Sequence, residues 1–296
     1  MRDGDPYVSG SPSMPALSHQ LFLLLSGYVE EHTGLHYSAA DNALFSDKVW
    51  TRLEEAGFMS PLDYYYFLRY DPRGEVELAA LVDVLVVGET YLFREVDALC
   101  AAIDHVIRPA VEERGRARIW SAGCSTGEEP YTLAMLLADV DLLDRVDIVA
   151  TDVSRRSVAR ARAGEVPQRS LRALAPGSAI AAPLSLQRIG DRWLEPLEGG
   201  GARVSPRIVS ALDFRHDSIL DPKVVGLENL DLILCRNVLI YFRDDVVRRV
   251  VQMFASRLRV GGRLVVGASE SLLRFGTALH CEERAGAFFY TKDSRS

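Results

Sequence analysis

The chain has 296 residues, of which 48% are hydrophobic and 25% are charged, a balance typical of a globular protein with one large domain and a smaller one. No apolar run in the sequence approaches the roughly 18 residues that a membrane-spanning helix needs. The four cysteines are far apart and form no Cys-x-x-Cys pair, which argues against a zinc site and a disulfide framework. We therefore expect a protein of the reducing cytoplasm that holds no metal and does not insert into a membrane.

The net charge of −7 is concentrated near the N-terminus. Residues 17–88 carry 4 Lys or Arg against 11 Asp or Glu, whereas residues 1–16 contribute −1 and residues 89–296 contribute +1. Because an acidic N-terminal part offers no attraction to a phosphate backbone, we expect no nucleic-acid partner.

The first 80 residues show two kinds of pattern. Residues 1–16 are rich in Gly, Pro and Ser, which is typical of a disordered tail. In residues 17–80, apolar residues recur at helical spacing between glycines and prolines, and this predicts a small all-α domain without chemistry of its own. We interpret the aromatic run 64–67 as core packing. Residues 81–296 are expected to form the second domain.

From Ala117 onward, apolar strand patterns alternate with helical patterns. The alternation predicts an α/β domain with a doubly wound parallel sheet. The predicted strands are 117–122, 147–152 and 230–235, and the predicted helices are 130–140, 154–163 and 244–259. Strands at 263–267 and 286–290 predict an antiparallel edge of the same sheet.

Residues 164–213 break this alternation. They contain five prolines, a run of three glycines at 199–201 and short strand-like pieces such as 192–194. We expect this segment to be an inserted, small antiparallel β subdomain.

The loop between the first strand and its helix, Ser121–Tyr131, is rich in small residues and lies where a ligand can approach bare backbone. It lacks the Gly-Lys-Ser/Thr ending of a phosphate-binding loop and the three glycines of a dinucleotide fingerprint. Its two acids, Glu128 and Glu129, repel phosphates and suit a ligand that carries hydroxyls, an amine or a positive centre. S-adenosylmethionine carries all of these groups.

Asp152 and Glu129 each have a functional and a structural interpretation. Asp152 ends the second strand, where an acid in such a sheet binds the hydroxyls of a ribose. The alternative is a helix N-cap, for which Ser154 is equally suitable. Glu129 follows Thr126 at the spacing of a capping box, and the alternative is that it receives the amino group of a methionine-like tail.

Two further segments place polar side chains in apolar surroundings. Arg94 is either a cation of the site or a surface arginine paired with Glu95 or Asp97. The pair 236–237 directly follows an apolar strand, and polar groups at such a strand tip point toward the ligand crevice. Tyr241 is either part of that crevice or part of the core.

Four blocks of the sequence together resemble the chemotaxis receptor methyltransferase (CheR) family. They match the family patterns T-x-F-F-R-E, S-x-S-T-G-E-E-P-Y, F-C-R-N-V-x-I-Y-F and G-G-x-L-x-x-G-x-S-E, and stand here at Thr90–Glu95, Ser121–Tyr131, Leu234–Phe242 and Gly261–Glu270. The order, the spacing and the all-α unit in front of them match as well, so the resemblance covers roughly residues 20–292.

The resemblance implies a Rossmann-like class I methyltransferase domain. It also implies transfer of a methyl group from S-adenosylmethionine to glutamate γ-carboxylates in the cytoplasmic helices of methyl-accepting chemoreceptors, which leaves S-adenosylhomocysteine. The cofactor-binding residues of the family correspond to Thr90, Arg94, Glu129, Asp152, Ser218, Ile219, Arg236 and Asn237, and the catalytic residues correspond to Arg94 and Tyr241. A glutamate with a pKa of about 4.3 is already ionised at neutral pH, so the reaction needs alignment rather than a general base. We expect a monomer.

Three features depart from the family pattern. Gly88 and Ser218 stand where the family usually has asparagines, and the helical front domain is acidic where other members tend to be basic. These departures favour an alternative, a signalling scaffold that binds S-adenosylmethionine or S-adenosylhomocysteine with little catalysis. A deep closed lid would favour a methyltransferase for a small metabolite, and the sequence shows no apolar lid segment. A nicotinamide oxidoreductase would need a different glycine spacing. The insertion at 164–213 resembles the unit that, in some members, docks the C-terminal peptide of a receptor.

Overall fold

The computed structural model describes residues 15–175, 180, 183–220, 222–223 and 227–293. Two compact units divide the chain between Val86 and Val87. Apart from residues 15 and 16, the expected disordered tail lies outside the described residues. No helix in the described part of the chain combines the length and the hydropathy that a bilayer crossing requires.

The first unit is helical. Its helices are α1 (His19–Thr33), α2 (Asn42–Glu55), α3 (Pro61–Tyr70) and α4 (Gly74–Leu85), with a short 3-10 turn at Ala39–Asp41. Each helix buries an apolar stripe, represented by Leu25, Leu53, Tyr64 and Leu81, all 0% exposed. The interpretation of the aromatic run 64–67 as core packing is confirmed for Tyr64 and was wrong for Tyr66, which is 51% exposed.

The second unit contains both strands and helices, and its strands are given first, in chain order. They are β1 (Ala117–Ala122), β2 (Val146–Asp152), β3 (Glu165–Val166), β4 (Leu194–Pro196), β5 (Ala202–Val204), β6 (Leu212–His216), β7 (Leu230–Cys235), β8 (Leu258–Val266), β9 (Leu279–Arg284) and β10 (Ala287–Lys292). Its helices are α5 (Val96–Ala102), α6 (Arg108–Arg114), α7 (Glu128–Asp139), α8 (Arg155–Ala163), α9 (Leu184–Trp193), α10 (Pro206–Ser210) and α11 (Asp244–Arg257). A π-helical turn, Ile103–Ile107, joins α5 to α6.

The main sheet has the strand order β6-β2-β1-β7-β8-β10-β9. In this order, the first five strands, β6, β2, β1, β7 and β8, run parallel to one another. Strand β10 pairs antiparallel with both β8 and β9. The predicted doubly wound sheet with an antiparallel edge is therefore confirmed. Ile119 packs into one hydrophobic cluster and its neighbour Trp120 packs into the other. Because neighbouring residues of a strand point to opposite faces of the sheet, both faces are buried, and helices cover them.

The insertion contains the predicted antiparallel sheet, in the order β3-β5-β4, together with α9 and α10. The strand-like interpretation of 192–194 was wrong for its first two residues, which end α9. Residues 212–213 belong to β6 of the main sheet. Strands β6 and β9 were not predicted, because each lies at an edge of the sheet and alternates with charged residues such as Asp213 and Glu283.

Candidate active site

The loop that follows β1 is held in an unusual backbone shape. Gly123, Ser125 and Gly127 have positive φ values of 79°, 49° and 96°. A Cβ on Gly127 would lie 2.8 Å from the ring of Tyr131, so only glycine fits there. The N–H of Gly123 donates to the carbonyl of Thr151 across 2.8 Å, which ties the loop to β2. This shape brings bare backbone to the carboxyl edge of the parallel strands.

Asp152 clamps the same loop from the tip of β2. One carboxylate oxygen accepts the N–H of Ser125 at 2.8 Å, and the other accepts the N–H of Ser154 at 2.9 Å. The N-cap of α8 is Ser154, whose hydroxyl accepts the N–H of Ser157 at 3.0 Å. Asp152 is half-buried and lies at the carboxyl edge of the sheet, beside the loop.

The two acids at the start of α7 have different partners. The carboxylate of Glu128 is fully buried and accepts hydroxyls from Thr126 at 2.7 Å and from Ser170 at 2.7 Å. The carboxylate of Glu129 accepts the hydroxyl of Ser121 at 2.8 Å and Nη1 of Arg236 at 3.1 Å. The hydroxyl of Thr126 thus serves Glu128, and the capping-box interpretation of Glu129 was wrong because its carboxylate faces β1 and β7.

Burial raises the pKa of Glu129, and the positive charge of Arg236 and the Ser121 hydroxyl oppose that rise without cancelling it. Its side chain is 15% exposed and that of Arg236 is 2% exposed, so the ion pair is largely shielded from water. A carboxylate in this position gains strongly from a further positive partner.

Arg236, at the tip of β7, joins the segments of the site. Besides Glu129, its guanidinium donates through Nη2 to the backbone carbonyls of Arg94 at 2.7 Å and Glu95 at 3.2 Å. Its Nε is buried and has no hydrogen-bond partner among the described residues. Arg236 therefore holds the 94–95 backbone against the start of α7.

Glu95 continues this network. Its φ is 44°, and its carboxylate accepts the N–H of Ala268 at 3.1 Å and contacts Nη2 of Arg236 at 3.3 Å and Nδ2 of Asn237 at 3.5 Å. Burial raises the pKa of Glu95, but Arg236 and the Ala268 N–H outweigh it, so the pKa lies below its ordinary value. Glu95 is therefore charged at neutral pH.

Arg94 and Tyr241 lie at the exposed side of this network. The Arg94 side chain is 27% exposed, its Nη1 donates to the carbonyl of Glu89 at 3.0 Å, and its Nε lies 3.9 Å from a carboxylate oxygen of Glu95. Tyr241 is half-buried, in a 3-10 turn at Leu239–Tyr241. Burial raises the pKa of Tyr241, and the nearby charge of Arg94 opposes the rise. Thr90 is half-buried in the same segment as Arg94.

Ser218 and Ile219 follow β6 on the other side of Asp152. The N–H of Asp217 donates to the carbonyl of Asp152 at 3.1 Å, so Ser218 lies close to the tip of β2. The hydroxyl of Ser218 accepts the N–H of Leu220 at 3.2 Å. Ile219 is 7% exposed and packs into the core. The sequence-predicted site residues thus gather at the carboxyl ends of β1, β2, β6 and β7 and in the 90–95 segment.

The family model "CheR methyltransferase, SAM binding domain" matches residues 88–285, which include every one of these side chains. The chain belongs to the CheR methyltransferase family. It is similar to chemotaxis protein methyltransferase 2 of Vibrio cholerae, with 31% identity over 88% of each chain. It is also similar to chemotaxis protein methyltransferase 1 of Pseudomonas aeruginosa, with 32% identity over 85% of this chain and 90% of the relative. Chemotaxis protein methyltransferase Cher2 of Pseudomonas putida is 30% identical over 83% of this chain and 88% of that relative.

The site of this CheR methyltransferase contains functional residues that the sequence analysis did not single out. Glu95 and Glu270 hold backbone groups of the site, and they end the first and last of the matching blocks, a signal that could have identified them. Ser125 has a buried hydroxyl without a hydrogen-bond partner among the described residues. Ser170, in a 3-10 turn of the insertion, bears no sequence signal, and only its contact with Glu128 connects it to the site.

The donors and acceptors at this edge fit S-adenosylmethionine. The hydroxyl of Ser125 and Nε of Arg236 are buried and unpaired within the described residues, and such groups normally have partners. The carboxylates of Glu129 and Asp152 offer acceptors for an amine and for hydroxyls. Across the described residues, no cluster of His, Cys, Asp or Glu could hold a metal ion.

Proposed function

We propose that the protein transfers the methyl group of S-adenosylmethionine to glutamate side-chain carboxylates of methyl-accepting chemoreceptors, giving glutamate methyl esters and S-adenosylhomocysteine. The observation that carries the proposal is the pairing of two acceptors at one sheet edge. Glu129 is held by Arg236 at 3.1 Å, and Asp152 accepts the N–H of Ser125 at 2.8 Å in the loop before Glu129, where the Ser125 hydroxyl is buried and unpaired within the described residues.

Each part of the cofactor has a counterpart in this arrangement. Glu129, Thr90 and Arg94 would bind the methionine end, with Arg236 and Asn237 beside it. Asp152 would bind the ribose hydroxyls, because it lies at the carboxyl tip of β2 beside the loop, where an acid in such a sheet meets a nucleoside ligand. Ser218 and Ile219, beyond the tip of β6, would flank the adenine. When bound, S-adenosylmethionine would supply an electrophilic methyl group on a sulfonium.

Arg94 and Tyr241 would hold the receptor glutamate. Nη1 of Arg94 is engaged by the Glu89 carbonyl, and its Nη2 makes no hydrogen bond to a described residue, so it can donate to an incoming carboxylate. Burial keeps the pKa of Tyr241 above its ordinary value, so its hydroxyl remains a donor at neutral pH. Both side chains would orient one carboxylate oxygen, which is the contribution that an already ionised nucleophile needs.

The test is to incubate the purified protein with S-adenosylmethionine and the cytoplasmic domain of a chemoreceptor from the same organism. We expect a mass increase of one methyl group on glutamate-containing peptides, removed by mild base. Methylation of other side chains, or base-stable products only, would contradict the proposed chemistry.

One observation favours the scaffold alternative. A Cβ on Gly88 would meet the Ser125 hydroxyl at 3.8 Å and nothing else within 4 Å, so a side chain that could donate beside that hydroxyl is missing here. The signature of a scaffold would be micromolar binding of both S-adenosylmethionine and S-adenosylhomocysteine by calorimetry, without ester formation on any receptor domain.

A further inference from the structure

The carboxylate of Glu270 is buried in a turn after β8 and is 8% exposed. It accepts backbone N–H groups only among the described residues. One oxygen accepts from Asn237 at 2.6 Å and from Gly267 at 2.8 Å, and the other accepts from Ile240 at 3.1 Å. Hydrogen bonds to a shielded carboxylate are stronger than hydrogen bonds between neutral groups. The three bonds to Glu270 therefore hold the backbone of Asn237, Ile240 and Gly267 in place.

The backbone that Glu270 holds is the exit of β7. Asn237 adopts a left-handed φ of 59°, and Ile240 lies in the 3-10 turn that ends at Tyr241. Without Glu270, the partly buried N–H groups of Asn237 and Ile240 would lose their acceptor, and an amide group left without an acceptor destabilises the local backbone conformation. A Cβ on Gly267 would lie 2.6 Å from Nδ2 of Asn237, so the close approach of the two turns depends on this glycine.

The same turn also contacts the other side of the site. The N–H of Ala268 donates to the Glu95 carboxylate at 3.1 Å, and Glu95 directly follows Arg94. The turn 267–270 therefore lies between the segment that bears Arg94 and the segment that bears Tyr241.

We propose that Glu270 is a positioning residue that sets the Tyr241 hydroxyl relative to Arg94 and so aligns the receptor carboxylate. It acts through the backbone of Ile240 and touches neither cofactor nor substrate. This inference rests on the proposed function, because it concerns the two side chains that would hold the glutamate.

The carboxylate oxygens allow a selective test with Glu270→Gln. A glutamine can keep its oxygen at the place that serves Asn237 and Gly267, and its amide then points N–H groups at the N–H of Ile240. Two donors facing each other repel, so the variant loses the hydrogen bond from Ile240 that supports the turn of Tyr241. It keeps the hydrogen bond from Asn237. We expect kcat to fall about 10- to 100-fold, a loss typical of a misplaced reacting group. The Kd for S-adenosylhomocysteine should stay within about twofold, because Asn237 keeps its acceptor.

The matched control is Glu283→Gln, which removes an exposed carboxylate on β9 that has no partner among the described residues. It should match the wild type in kcat and in Kd. An unchanged kcat in Glu270→Gln would overturn the inference. An equal loss of cofactor affinity and of kcat would also overturn it, because that result means general damage to the site.

A readout without turnover separates this inference from the proposed function. Tyrosines are replaced biosynthetically by 3-fluorotyrosine, and the Tyr241 resonance is assigned by its absence in Tyr241→Phe. We expect Glu270→Gln to shift this fluorine resonance and Glu283→Gln to leave it in place. If the wild type methylates no receptor, the proposed function fails, and the fluorine spectrum still decides whether Glu270 positions Tyr241. An unshifted resonance in Glu270→Gln refutes the inference.

Discussion

Arg236 at the tip of β7 and Glu129 at the start of α7 form an ion pair of 3.1 Å that is largely withdrawn from water. The chain distance between them is 107 residues, and the sheet order places β7 directly beside β1. Through Nη2, the same guanidinium also holds the carbonyl of Arg94 at 2.7 Å. One buried side chain thus holds both Glu129, the proposed acceptor for the methionine end of the cofactor, and the backbone of Arg94, the proposed substrate-side cation.

Arg236→Lys should weaken both the fold and the site. A lysine keeps the charge but cannot reach Glu129 and the Arg94 carbonyl together, because its ammonium is a single point charge on a flexible stem. We expect the free energy of unfolding to fall by about 2–4 kcal/mol and the affinity for S-adenosylhomocysteine to fall about tenfold or more. Urea denaturation and calorimetry measure these quantities. Arg249→Lys, on the exposed face of α11, should change neither, and a fully stable Arg236→Lys would show that the pair is not structural.

Cofactor affinity should depend on pH through Glu129. Because burial raises its pKa, Glu129 takes up a proton as pH falls through a range above that of an ordinary carboxyl group, and the neutral acid no longer attracts a cationic amine. The Kd for S-adenosylhomocysteine should therefore rise on acidification, by about tenfold per pH unit at most.

Protonation of Glu129 on acidification changes the stability of the fold in the opposite direction to cofactor affinity. The folded protein holds the Glu129 proton more tightly than the unfolded chain, so this group adds stability as pH falls through its raised pKa. Weakened binding without unfolding would thus identify Glu129. Calorimetry from pH 5 to pH 8 should show a flatter profile for Glu129→Gln, whereas the exposed control Glu112→Gln should follow the wild type. An identical slope in Glu129→Gln would assign the dependence to another group.

Arg94→Ala should abolish most of the methyl transfer while the fold stays intact. The side chain is 27% exposed and its hydrogen bond is to one backbone carbonyl, so its loss costs little stability. Loss of the cation that orients the carboxylate should lower kcat/KM about 100-fold or more. Arg155→Ala, on the exposed side of α8, is the control for the loss of an arginine. Full activity of Arg94→Ala with an unchanged melting temperature would refute the role of Arg94.

Ser125→Ala should weaken cofactor binding without lowering the stability of the fold. The hydroxyl is buried and has no partner among the described residues, so removing it should leave the free energy of unfolding unchanged or raise it by about 1 kcal/mol. If the hydroxyl binds the cofactor, affinity for S-adenosylhomocysteine should fall about 3- to 10-fold. A loss of stability with unchanged affinity would show that the hydroxyl has a structural partner instead.

The central strands were predictable because burial on both faces makes them apolar throughout. The predicted bounds 117–122 and 230–235 agree with β1 and β7 to the residue. The edge strands β6 and β9 were missed because half of their residues face solvent and are charged, which weakens the pattern. Helix α9 was missed because the prolines and glycines around it are typical of turns.

The sequence by itself determined the fold class, the family and the positions at which polar groups end apolar strands, since each of these depends on residue type at short spacing. Only the tertiary structure decided which partners each of the two acids at the start of α7 has. Glu128 and Glu129 are adjacent and chemically identical, yet one is held by the Ser170 hydroxyl and the other by Arg236. These partners lie 42 and 107 residues away in the chain. Helical geometry turns neighbouring side chains about 100° apart, so each meets a different part of the folded chain.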